Sequence, residues 1–146
     1  MRKHLILALA AGLLLSADAN DDAVKKDLQL LEGTWKVTSL EADGMQLPEE
    51  NFKEWKLECK GADFTFTDTN GVHKGTFKVD PSKKPKTLDV VFTEGGNKGS
   101  TLLCLYEVEK DTFKVCVKPN SQERPTEFTG KQGSGQMLEV LKKEKK

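Results

Sequence analysis

From Thr34 to Lys142 the chain falls into short runs in which apolar and polar residues alternate, each run closed by Gly, Asn, Asp or Pro. A period of two places alternate side chains on opposite faces of a strand, so each run predicts a strand with one buried face. The runs are Thr34–Glu41, Trp55–Cys59, Asp63–Thr67, Lys74–Asp80, Lys86–Thr93, Ser100–Val108, Thr112–Val117, Glu127–Thr129 and Met137–Lys142. Asp43-Gly44, Lys60-Gly61, Thr69-Asn70-Gly71 and the Gly-rich Glu94–Gly99 are turn signals, Thr69-Asn70-Gly71 being a strong hairpin signal. Gln46–Lys53, with Pro48, reads as a loop holding one helical turn, and Lys118–Pro125 as an irregular connection. Before the first run, Asp22–Leu31 has apolar residues at helical spacing, with Asp21 or Asp22 placed to cap it. So short a helix holds its shape only by packing on something else, and the bottom of a barrel suits it. About nine short strands with tight connections and no crossover helices give an all-β fold: a small antiparallel up-and-down barrel, with a sandwich as the alternative.

The ends and the composition narrow the class. Met1-Arg2-Lys3-His4 is a basic head, Leu5–Leu15 an apolar run, and Ala17-Asp18-Ala19 a small-x-small cleavage pattern. Residues 1–19 therefore read as a signal peptide and residues 20–146 as one exported domain, periplasmic or secreted. The apolar run is too short for a membrane span. Without residues 1–19 the balance is 21 basic against 22 acidic side chains, interspersed along the length. That pattern argues against nucleic acid as the main partner. Three cysteines, Cys59, Cys104 and Cys116, allow one bridge and a leftover. Cys104 and Cys116 would face each other across a three-residue loop and lie on opposite faces across a loop of two or four. Their spacing is not that of a metal or redox site, and buried small apolar side chains are the better reading.

Nothing in the chain spells out a catalytic site or implies a cofactor. His73, the single His after residue 19, stands beside a Gly turn and reads as a surface residue. One His supplies neither a His-based metal site nor a triad, and no nucleophile elbow is present. Asp89 and Glu127 are the carboxylates that a glycosidase-like pair would use, but solvated strand faces explain both. Arg124 is the single Arg after residue 19. A guanidinium is suited to stacking on an indole while donating to carbonyls. Arg124 is accordingly expected to latch Trp35, or the helix that leads to it, at the barrel floor. Gly33 and Trp35 open the first strand: Gly permits a sharp turn, and Trp plugs a small barrel while needing a partner for its N–H. Trp55, Leu57, Phe64, Phe66, Phe77, Val90, Phe92 and Tyr106 are the expected barrel lining. So many Phe on short strands favour a mostly filled interior.

Leu31-Glu32-Gly33-Thr34-Trp35-Lys36-Val37, Asp43-Gly44, Pro85-Lys86-Thr87-Leu88-Asp89, Tyr106-Glu107-Val108 and Arg124-Pro125-Thr126-Glu127-Phe128 occur in that order. Together they resemble an uncharacterised lipocalin-like, calycin-type exported domain family expanded in planctomycete bacteria. The resemblance implies a small exported lipocalin-like barrel and supplies neither a catalytic residue nor a ligand. Fatty-acid-binding relatives share the Gly-Thr-Trp-Lys opening, but Asp43–Glu54 is too short for their two-helix lid. Their Arg-x-Tyr near the C-terminus is also missing, since Pro125 and Thr126 follow Arg124. The expectation is a non-catalytic module for a small hydrophobic ligand, with a filled-core interaction or structural module of the cell envelope as the alternative.

Overall fold

The structure is a computed structural model, and it describes residues 20–145. The signal peptide expected over residues 1–19 lies outside them. A helix runs over residues 20–31, so Asp21 and Asp22 fall inside it rather than at its cap. Its inward stripe is Val24, Asp27, Leu28 and Leu31, the spacing of one helical face. Nine strands follow: β1 (Gly33–Ala42), β2 (Met45–Gln46), β3 (Lys56–Lys60), β4 (Asp63–Asp68), β5 (Gly71–Asp80), β6 (Thr87–Glu94), β7 (Thr101–Val108), β8 (Thr112–Val117) and β9 (Met137–Lys143). A 3-10 turn, Glu49–Asn51, lies between β2 and β3.

Every pairing is antiparallel, β1 joins β3, β3 to β9 follow in order, and β9 returns to β1. Eight strands thus close into a barrel, while two-residue β2 folds back on the end of β1 beyond the reach of β3. Closure leaves the eight without an open edge. The ladder shifts between Val37 and Ser39. That extra residue changes the phase of β1, so Trp35, Val37 and then Leu40 are all buried. Gly33, between helix and β1, has a φ of +124°, a region closed to ordinary side chains. At Gly75 the reason for glycine is space: a Cβ would lie 1.9 Å from the Val91 carbonyl oxygen and 2.9 Å from the Phe64 ring.

Three expectations need correction. Residues 127–129 form no strand. The chain from 118 to 136 instead lies over the outside of the wall, where the Gln136 amide donates to the Glu127 and Thr129 carbonyls at 3.0 and 2.8 Å. Gln46, read as the start of a loop, belongs to the two-residue strand Met45–Gln46. His73 is not a surface turn residue, because β5 starts at Gly71, directly after a two-residue turn. His73 is therefore already inside the ladder opposite Phe66, and only 5% exposed. Of the two arrangements open to Cys104 and Cys116, the structure has the one with opposite faces: Val108 pairs with Phe113, leaving four residues between them. Cys104 then faces Val117 while Cys116 faces Leu105, so the two sulfurs lie on opposite faces, and all three cysteines are free and buried.

Candidate functional site

The interior is organised from the floor upward. At the floor, the Trp35 indole N–H donates to the Leu31 carbonyl at 2.7 Å. The cation over its ring is Lys143, 4.9 Å from the centroid, whose ammonium also donates to the Leu30 carbonyl at 2.9 Å. Arg124 does not take that place. It sits on the outer wall, donating to the Cys104 carbonyl at 2.8 Å and pairing with outward-facing Asp89. The expected latch on Trp35 exists, but Lys143 supplies it, whereas Arg124 pins the 118–136 segment to β6 and β7. A second fastening was not foreseen. Asp27, 4% exposed in the helix stripe, accepts hydrogen bonds from the Tyr106 hydroxyl at 2.7 Å and the Lys86 ammonium at 2.9 Å. Burial and the bond to Asp27 push the Tyr106 phenol well above its ordinary range.

Above the floor an aromatic series runs through the barrel. Trp35 meets Phe113, Phe113 meets Phe77, Phe77 stacks on Phe64 at 4.6 Å, and Phe64 meets Phe92 edge-on. His73 continues it to Phe66, and Trp55 and Phe52 end it at the far rim. These contacts do not fill the barrel. A cavity of about 130 Å³ lies beside them, one modest void in the mostly filled interior expected from the Phe content. Leu57, Phe64, Phe66, Phe77, Val90 and Phe92 line it as expected, together with Leu88, Leu102, Cys104, Phe113, Val115, Val117 and Leu141. Two expected lining residues do not. Tyr106 belongs to the floor, and Trp55 stands before β3 at the rim, packed on Phe52 and Phe66.

One more side chain reaches the cavity, and it is the chemically distinctive one. Glu139 of β9, half-buried, pairs with Leu40 and Val115, both on the inner face, and is part of the cavity lining. Among the described residues no side chain or backbone N–H donates to it, and no Lys or Arg pairs with it. Burial alone pushes its pKa up to about 7. Cys104, the other titratable group on the lining, is pushed up to about 12 by burial and stays a thiol.

The rim holds two further polar atoms of note. His73 Nε2 is 3.2 Å from an Asp68 carboxylate oxygen, while His73 Nδ1 and the Trp55 indole N–H are buried without partners. No hydroxyl or thiol among the described residues hydrogen-bonds His73, so the histidine has an acidic partner but no nucleophile to activate. Asp89 is engaged by Arg124 on the outer wall and Glu127 is exposed near Lys131, and neither lines the cavity. Among the described residues no cluster of three or more His, Cys, Asp or Glu is disposed to hold a metal, and no helix is long and apolar enough to cross a membrane.

No family model and no curated protein matches the chain in sequence. Among solved structures it is similar to a DUF4847 family protein from Bacteroides vulgatus ATCC 8482, at 14% identity over 80% of this chain and 96% of that one, with a TM-score of 0.50. A likeness at that identity speaks to the fold, and it agrees with the closed barrel described above.

Proposed function

We propose that this chain is an exported, non-catalytic β-barrel module that binds a small hydrophobic ligand in its interior. The observation that carries the reading is the apolar cavity of about 130 Å³, walled by Phe64, Phe77, Val90 and Phe92, above a floor sealed by the helix. An engineered apolar cavity of about 150 Å³ stays dry and takes up benzene, so a void of this size has use for a guest of similar bulk. It falls short of the ~300 Å³ at which ordinary ligand pockets begin, which limits the guest to a compact molecule or one end of a longer one. The exported half of the proposal rests on residues 1–19 of the sequence.

The alternative, a filled-core interaction module, calls for a solid interior and an exposed apolar patch. Among the described residues the strongly exposed large apolar side chains are Met45 and Val72, on different strands. The test is a thermal melt and a two-dimensional amide spectrum recorded with benzene, toluene and ethylbenzene. Saturation at about 100 times Kd is expected to stabilise the fold by about 2.7 kcal/mol, with shifts confined to the inner strands. A melting temperature and spectrum unmoved by all three, up to their solubility, would remove the proposal.

A further inference from the structure

The cavity carries one polar feature that its wall does nothing to satisfy. An ionised carboxylate accepts hydrogen bonds and offers none, so whatever pairs with Glu139 must donate. Several described cations are committed elsewhere: Lys86 to Asp27, Lys143 to Leu30 and Trp35, Lys142 to Thr112, Lys118 to Glu123, and Arg124 to Asp89. The elements packed around Glu139 present Leu40 from β1, Val115 from β8 and Cys104 from β7, none of them charged. A carboxyl left in that setting opposes folding, and local rules are broken in this manner mostly where a site is kept for a purpose.

We propose that Glu139 is the anchor of the cavity and that its ligand is a small apolar primary amine, bound as the ammonium with its hydrocarbon against Phe64, Phe77 and Val90. This deepens the hydrophobic-ligand reading and rests on it. The chemistry discriminates among heads. An ammonium brings both three N–H donors and the compensating charge, in a site where apolar surroundings strengthen the attraction. An alcohol brings a donor and leaves the charge, and a fatty carboxylate meets Glu139 with like charge. The volume limits the body to about the size of benzene.

The test is calorimetric titration of the folded chain near pH 8 with three molecules of nearly one shape: benzylamine, benzyl alcohol and ethylbenzene. Benzylamine is expected to bind at least tenfold tighter than ethylbenzene. Glu139→Gln is expected to abolish that preference while leaving ethylbenzene binding intact or improved. Glu139→Leu serves as a second variant that keeps an apolar side chain in place. Equal affinity for benzylamine and ethylbenzene in the wild-type chain overturns the amine proposal and leaves the cavity reading standing, as does a preference that survives Glu139→Gln. Failure of all three molecules to bind the folded wild-type chain overturns both.

Discussion

Replacing Glu139 by Gln should make the unliganded protein more stable, and by an amount that depends on pH. In the unfolded chain the carboxyl titrates near its ordinary value of 4.5, whereas in the folded barrel burial lifts it to about 7. The folded state therefore holds the proton more tightly. Below the lower value both states are protonated and the site costs nothing through ionisation. As pH rises through 4.5 and then 7, the unfolded chain loses its proton first and folding stability falls, reaching its full penalty above the folded pKa. At about 1.4 kcal/mol per unit, the displacement amounts to about 3 kcal/mol. Gln has nearly the same shape as the protonated acid and does not ionise. Urea unfolding of both proteins, at intervals from about pH 4 to pH 9, isolates the contribution because every other titrating group is common to the pair. Cys104, the other titratable group on the lining, stays neutral throughout that range, at about 12. The stability difference should be near zero at the acid end and should grow by about 3 kcal/mol in favour of Glu139→Gln at the alkaline end. A difference that is flat with pH, or one that favours the wild type at high pH, would refute the placement of Glu139 in an apolar interior without a partner.

Other consequences follow from the floor and the wall. Tyr106→Phe removes a donor from buried Asp27 and should cost about 1.5–3 kcal/mol in urea unfolding, the range for hydrogen bonds to charged groups; a loss below about 0.5 kcal/mol would contradict the fastening. Lys143→Met should cost about 1–2 kcal/mol and alter indole fluorescence, because the ammonium lies over Trp35 and caps the Leu30 carbonyl. Arg124→Lys should instead raise amide exchange in residues 118–136 while leaving the environment of Trp35 unchanged; the opposite pattern would restore Arg124 to the floor. The thiols of Cys59 and Cys104, pushed up to about 12 by burial, should resist a thiol reagent at pH 8 in the folded protein and react after unfolding; rapid native labelling of either would place it nearer the surface.

The barrel was legible because alternation is imposed wherever one face of a strand is buried and the other is wet. That is why Leu88, Val90 and Phe92, or Phe64 and Phe66, declared the inner wall. The same rule fails where both faces are covered. Met137-Leu138-Glu139-Val140-Leu141 is apolar in either phase apart from Glu139, because the 118–136 segment shields the outer side where Leu138 pairs with Cys116. Periodicity could not say that Glu139 points inward; only the pairing with Leu40 and Val115 does. Asp27 escaped notice for a related reason. It occupies the helical stripe between Val24 and Leu31, and a polar residue there is unexpected until Tyr106 and Lys86 arrive from 79 and 59 residues away. Arg124 is expected at the floor beside Trp35, but sequence carries no information on which carbonyls a guanidinium meets; its targets are those of the Leu88–Cys104 pair on the outer wall. His73 is in the strand and not the turn because β5 begins at Gly71, three residues before the alternation at Lys74 becomes readable.

The most direct measurement is a crystal structure of the protein under xenon pressure, because xenon enters apolar cavities of this size and scatters strongly. A single strong peak among Phe64, Phe77 and Val90, bordered by the Glu139 side chain, is the expected result. Well-ordered crystals in which that position stays empty, with side chains closed over it, would contradict a ligand-binding interior and return the barrel to a filled scaffold.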